Sequence, residues 1–132
     1  MKIFQLDKMF KGWFLGNFAP GAMQTSSAKV AVKRYEFGNR IDTHVHKMVT
    51  EITLVREGTV VMCDRRKIDG DILKLAPGET TDFSTIADAT TVVVNIPSVI
   101  DDKNSSQSCR RRSLDAHSQS PWTPHRHRVC RA

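Results

Sequence analysis

Three residues in the segment 38–58 have types and spacing that suit metal binding. His44 and His46 lie two positions apart in a β-rich run, and Glu51 opens the next such run. Side chains alternate faces in an extended strand, so both imidazoles project from one face, about 7 Å apart. A carboxylate on a neighbouring strand can be aimed at the same point. Two imidazoles and a carboxylate form a facial triad for Fe, Mn, Ni, Co or Zn that leaves positions open for water or substrate.

An isolated His-x-His pair also occurs on surface strands with solvated imidazoles, so the flanking residues decide between the two interpretations. Here five residues separate Gly38 from His44, four separate His46 from Glu51, and six separate Glu51 from Gly58. This pattern resembles the first motif of the cupin family. The resemblance implies a jelly-roll barrel that holds a metal inside its mouth, and it implies a homodimer.

Residues 70–83 resemble the second cupin motif, in which a tight Pro-Gly turn precedes a further ligand histidine. The turn is present at Pro77-Gly78, but Thr81 stands in the place of the histidine. Asp82 is one residue away and needs a register shift to face inward. Thr81 and Asp82 are therefore the candidates for a fourth ligand or a second-motif contact. The resemblance covers about residues 10–103.

The elements that must position these residues are short β-rich runs separated by Gly, Pro and Asp, a spacing typical of an all-β sandwich or barrel. No long helical period is present. The sequence therefore predicts a single all-β domain, and the resemblance implies that this domain is a cupin jelly-roll barrel. The predicted strands are 12–18, 29–37, 43–46, 51–57, 59–63, 71–75, 80–84 and 90–96.

Charge divides the chain of 132 residues, whose net charge is +6, into two segments. Residues 1–103 carry 14 Lys and Arg against 13 Asp and Glu, whereas residues 104–132 carry six Arg and one Asp. The second segment is rich in Ser and poor in branched aliphatic residues, so it cannot build a core. We expect a barrel domain over 10–103 and a basic tail over 104–132. That tail is interpreted as a disordered arm, a cloning remnant or an out-of-frame read-through.

Charged residues interrupt the apolar N-terminal segment at Asp7, Lys8 and Lys11. This composition excludes a signal-peptide core or a membrane-length run, so we expect a cytoplasmic protein without a membrane partner. Because the excess positive charge lies in the tail, we expect no nucleic-acid partner either. Three cysteines at scattered spacings, without a CxxC pair, do not suggest a zinc ribbon.

The resemblance implies a metal-binding protein with a small-molecule ligand, and two functions stay open. The first is a metal-dependent enzyme on a small polar or sugar-derived substrate, of isomerase, epimerase or oxygenase type. The alternative is a cupin that binds or senses a small ligand without turnover, as the missing histidine suggests. A narrower resemblance, which includes the Gly12-Trp13-Phe14 opening, is to small uncharacterised cupins associated with surface-sugar metabolism.

Three further residues have side chains that could contact a substrate. Tyr35 and Arg40 flank the metal motif and are candidate substrate contacts, since the planar fork of Arg suits an anionic group. A solvated strand edge is an equally good interpretation of both. Trp13 is expected to fill the core or a dimer contact rather than a ligand pocket. No catalytic residue is assigned.

Overall fold

The computed structural model describes residues 1–105. Two short 3₁₀ helices, Leu6–Lys8 and Phe10–Gly12, precede an all-β domain. The described residues form eleven strands: β1 Trp13–Gly16, β2 Met23–Gln24, β3 Lys29–Tyr35, β4 Arg40–His46, β5 Thr50–Glu57, β6 Val60–Met62, β7 Arg65–Lys67, β8 Ile72–Leu75, β9 Thr80–Thr85, β10 Ala89–Ile96 and β11 Lys103–Ser105. The predicted fold class is confirmed.

The strands form two sheets that enclose one interior. A six-stranded sheet has the order β2-β1-β3-β10-β5-β8, and a five-stranded sheet has the order β11-β4-β9-β6-β7. Consecutive strands β3, β4 and β5 fall in alternate sheets, so the chain crosses from one wall of the barrel to the other between them. These crossings bring residues of neighbouring strands face to face across the interior.

The interior has an apolar end and a polar end. Side chains from both sheets pack into one buried cluster at the apolar end: Val55, Val60, Met62, Leu75, Phe83 and Ala89. Along β10 the buried residues change from Ala89 at this cluster, through Thr91 and Val93, to Asn95 at the other end. Burying a polar side chain without partners is costly, so the polar end adds less to the apolar core than the other end does.

All eight predicted strands are present, with ends that differ by a few residues. The sequence did not predict β2, β7 and β11, which have two or three residues each and are too short for a visible alternation. Strand β11 pairs with β4, so the predicted domain boundary at residue 103 lies within a strand. The remainder of the predicted tail, from residue 106, lies outside the described residues.

Within residues 1–105 no helix has the length and apolar character needed to cross a membrane. The cytoplasmic location and the expected lack of membrane and nucleic-acid partners stay predictions.

Candidate metal centre and barrel cavity

Strand β4 carries both histidines on the face that lines the interior. His44 and His46 are buried, whereas Val45 between them points to the other face, as the period of a strand requires. The pairing of β4 with β9 has a bulge between Ile41 and His44, which shifts the phase so that Ile41 also lines the cavity. The bulge therefore sets which β4 residues face inward.

Glu51 faces the histidines from the opposite wall. The connection 47–49 leads the chain from β4 in one sheet to β5 in the other, so Glu51 approaches His46 across the interior. Glu51 Oε2 lies 3.0 Å from His46 Nε2. The rings of His44 and His46 meet edge to face with centroids 5.4 Å apart. The structure thus places Glu51 against His46, with the ring of His44 next to that of His46.

The protonation of these groups suits metal ligation. His44 Nδ1 donates to the carbonyl oxygen of Asp42 at 2.8 Å, which leaves the lone pair of Nε2 available. Burial lowers the pKa of His44 despite that hydrogen bond, so its imidazole is neutral near pH 7. Burial by itself raises the pKa of Glu51, but the hydrogen bond and charge of His46 outweigh it, and the net pKa lies below its ordinary value. Glu51 is therefore a carboxylate.

A second polar group holds Glu51 in place. In the amide orientation that satisfies both of its polar atoms, Asn95 donates to Glu51 Oε2 at 3.1 Å. Asn95 is buried on β10 and pairs directly with Glu51 of β5. The carboxylate oxygen that meets His46 is therefore fixed by a neighbouring strand as well as by its own.

Asp102 fixes the connection that carries the site from one sheet to the other. Its buried carboxylate accepts from the backbone N–H of Met48, at 3.0 and 2.9 Å, and of Val49, at 3.1 Å. The same carboxylate lies 3.9 Å from His46 Nδ1, a buried atom without a hydrogen-bond partner among residues 1–105. A shift of about 1 Å would let Nδ1–H donate to Asp102, since such hydrogen bonds span about 3 Å.

The site opens into a cavity of about 390 Å³, within the usual range for small-ligand pockets. One part of the cavity wall is the polar floor formed by Thr53, Thr91 and Asn95, next to the candidate metal centre. Other parts of the cavity wall are formed by aromatic side chains and by lysines. Trp13 lines this cavity and is not part of the apolar core, whereas the alternative of a dimer contact stays a prediction.

Solved structures with the same architecture support this description of the fold. An uncharacterised protein with a double-stranded β-helix domain from Klebsiella pneumoniae is similar, with TM-score 0.55 and 20% identity over 74% of this chain and 85% of that one. A cupin superfamily protein from Desulfitobacterium hafniense is similar, with TM-score 0.52 and 10% identity over 56% and 71%. The chain has the cupin fold. A DMSP lyase from Ruegeria pomeroyi shares it, with TM-score 0.60 and 17% identity over 78% of this chain and 55% of that one.

At these identities the similarity establishes the fold alone. No protein-family model matches the sequence, and no curated protein matches it.

The second-motif candidates lie on opposite faces of β9. Thr81 pairs with His44 and is 2% exposed, on the inward-facing side of β9 together with Phe83. Its hydroxyl donates to the carbonyl of Asp82 at 3.0 Å. The Asp82 carboxylate turns away and accepts from the backbone N–H of Cys63 at 2.6 Å. Of the two candidates, the structure brings only Thr81 to the centre.

Of the two candidate substrate contacts, only Tyr35 lies at the cavity. Tyr35 lines the cavity, its ring tilted at 45° to that of Phe83 with the centroids 4.6 Å apart, and burial together with the charge of Glu51 raises its pKa to about 12. Its hydroxyl is therefore protonated at neutral pH. Arg40 is exposed and lies outside the cavity wall, because it precedes the inward-facing Ile41 and so points to the outer face. The structure does not bring Arg40 to the site.

The donor set fits a divalent metal ion. Two ligand atoms at about 2.1 Å from a metal and at a right angle lie about 3.0 Å apart, which matches the separation of His46 Nε2 and Glu51 Oε2. His46 Nδ1 has no hydrogen-bond partner within residues 1–105 and lies near the Asp102 carboxylate. A carboxylate at this place is the usual outer partner of a metal-ligating imidazole. Within residues 1–105 no three His, Cys, Asp or Glu side chains already surround one point, so His44 must adjust to complete the set.

The sequence patterns did not indicate a role at the site for Asp102, Asn95 or the inward-facing lysines of β3. Asp102 and Asn95 lie more than 40 residues from the histidines, and no local spacing links them to the motif. A signal for the lysines was present: in the run 29–35, Lys29 and Lys33 share a face with Ala31 and Tyr35, whereas the valines occupy the other face. The usual assumption that valines face inward hides this pattern.

Proposed function

We propose that this protein is a metal-dependent enzyme that acts on a small polar molecule, a sugar derivative, in the mouth of its barrel. The observation that carries the proposal is the 3.0 Å approach of His46 Nε2 to Glu51 Oε2, beside His44, at the wall of an open polar cavity. These three residues would hold one ion of Fe, Mn, Ni, Co or Zn. When bound, the ion would supply Lewis-acid or oxygen-binding chemistry, as isomerisation, epimerisation or oxygenation requires.

The residues around the ligands have defined tasks in this proposal. Asn95 orients the Glu51 carboxylate, and Asp102 holds the connection on which His46 depends. The protonated hydroxyl of Tyr35 can donate a hydrogen bond to a substrate oxygen. A polar floor and a polar donor beside an accessible metal position favour turnover over simple binding.

A non-catalytic role in binding or sensing a small ligand is the second candidate. It is favoured by Thr81, which stands opposite His44 with its hydroxyl already donated to a backbone carbonyl. With three protein donors instead of four, the metal would be held less tightly and would exchange more readily.

We also propose that the protein forms a homodimer. The outer face of the six-stranded sheet carries half-buried branched aliphatic residues on three adjacent strands, which supports the proposal. They are Val30 and Val32 on β3, Val92 and Val94 on β10, and Ile52 and Leu54 on β5. Light scattering of the full chain should give twice the chain mass. A monomer at micromolar concentration would contradict this proposal.

Metal titration with matched variants tests the proposed function. We would strip the full chain with a chelator and titrate it with each of the five divalent ions. We expect one site per chain in the parent, and dissociation constants at least about tenfold weaker in His44→Ala and Glu51→Gln. Asp82→Asn is the control, because its carboxylate faces away from the site. Equal weakening by Asp82→Asn and Glu51→Gln would contradict the assignment.

A second measurement separates the enzyme from the sensor. The metal-loaded parent would be incubated with a panel of sugars and sugar acids in D₂O and followed by NMR for exchange of substrate protons or for new products. We expect turnover in the parent and its loss in Glu51→Gln. Saturable metal and sugar binding without turnover would support the sensing role instead.

A further inference from the structure

Two lysines point into the barrel from β3. Lys29 and Lys33 line the cavity on the same face as Ala31, which is fully buried. Both side chains are themselves partly buried. Inward-facing lysines are rare in barrel interiors, because a desolvated ammonium group costs free energy unless it is paired.

Both lysines contact the same aromatic ring. The ammonium nitrogen of Lys29 lies 4.2 Å from the ring of Trp13, and that of Lys33 lies 4.7 Å from it. Lys11 and Lys103 line the same cavity. Among residues 1–105 none of these four lysines forms an ion pair with a carboxylate. The ring offsets part of the desolvation of Lys29 and Lys33 but does not neutralise their charge.

The carboxylates at this cavity do not supply the missing partner. Glu51 is engaged by His46 and Asn95, and Asp102 is engaged by two backbone N–H groups. Asp101 is exposed. Burial and the neighbouring charges of Lys11, Lys29 and Lys103 lower the pKa of Lys33 to about 8. At neutral pH Lys33 is still mostly protonated, so the cavity holds ammonium groups that form no ion pair within residues 1–105.

The lysines lie within reach of a ligand at the metal centre. Lys29 pairs with Asn95, and Asn95 pairs with Glu51 on its other side. Adjacent strands are about 4.8 Å apart, so the backbones at residues 29 and 51 are about 10 Å apart. A molecule of three to six carbons can touch both places at once.

We propose that Lys29, Lys33 and the ring of Trp13 form an oxyanion subsite that binds a carboxylate or phosphate group of the substrate. Two ammonium groups against one aromatic ring in a shared cavity suit an anion that enters from the cavity, and the anion offsets their mutual repulsion. This inference rests on the proposed function in one respect, because it takes the ligand of the subsite to be the substrate of the metal centre. It narrows that substrate to an anionic one.

The probes for the test are inorganic phosphate and malonate, titrated into the chelator-treated full chain. The indole N–H signal of Trp13 is assigned by comparison with Trp13→Phe and followed by NMR. We expect saturable shifts with dissociation constants of about 1–10 mM. Lys29→Met and Lys33→Met should weaken binding at least about fivefold. Lys74→Met, which removes an exposed lysine on the outer face of β8, should leave it unchanged.

The outcomes separate the subsite from the metal centre and one anion from the other. Tighter binding of phosphate would identify a phosphorylated substrate, and tighter binding of malonate a carboxylic acid. Because the chain is chelator-treated, both probes report on the subsite without a bound ion, so the subsite stands or fails independently of the metal. Equal affinity in Lys33→Met and Lys74→Met, or no saturation by either probe, would overturn the proposal.

Discussion

Replacing Lys33 with methionine should make the protein more stable. Burial and three neighbouring lysines lower the pKa of Lys33 from 10.5 to about 8, so the folded state disfavours its charged form. At 1.36 kcal/mol per pKa unit the full cost would be about 3 kcal/mol. Lys33 is only half-buried, and solvent screening together with the lost contact to Trp13 reduces the expected gain to about 1 kcal/mol.

The assay is thermal unfolding of Lys33→Met and parent at several pH values. A gain of about 1 kcal/mol corresponds to a rise in Tm of about 4 °C or more in a domain of this size. The folded pKa lies below the unfolded one, so the cost of Lys33 is complete below about pH 8. It fades as the pH rises toward 10.5, and the gap between variant and parent should close over that window.

Lys74→Met serves as the matched control, because Lys74 is exposed and should show no pH-dependent gap. Two results would refute the reasoning. One is a Lys33→Met variant that is less stable than the parent at pH 7. The other is a gap that does not change between pH 7 and pH 10.5, which would show that the charge of Lys33 is not the cause.

Three further changes test the supports of the site. Asp102→Asn should weaken metal binding by about 10-fold or more and lower the free energy of unfolding by about 1–3 kcal/mol, as measured by metal titration and denaturant unfolding. Gly58→Ala should lower the free energy of unfolding in urea by more than about 3 kcal/mol, because the added Cβ would overlap backbone atoms. Gly38→Ala is the control, because Gly38 has a similar positive φ but lies in open space, and it should lower the free energy of unfolding by about 1 kcal/mol. Thr81→His should tighten metal binding, and an unchanged dissociation constant would show that position 81 does not reach the metal.

The sequence predicted the parts of the site that depend on local spacing. Alternation along β4 places His44 and His46 on one face, and a turn before β5 leaves Glu51 free to meet them. These relations need only the period of a strand and the length of a connection. The same local patterns located eight of the strands, because each coincides with a β-rich sequence run of four or more residues.

The other features of the site depend on how strands that are distant in the sequence pair with one another. Asp102 reaches the 47–49 connection only because the chain returns to pair β11 with β4. Arg40 points outward because of the bulge before His44. No residue type in this run predicts that bulge. Asp82 was a candidate only through a one-residue register shift, and the pairing of Thr81 with His44 shows that β9 keeps the unshifted register.

The central claim is that His44, His46 and Glu51 bind one metal ion, and X-ray absorption spectroscopy of the metal-loaded full chain tests it most directly. The chain has three further histidines, at positions 117, 125 and 127, so the spectrum must be compared with those of variants. The account predicts scattering from two imidazoles in the parent, and from one imidazole in His44→Ala and in His46→Ala. A parent spectrum without imidazole scattering, or spectra that stay unchanged in both variants, would contradict it.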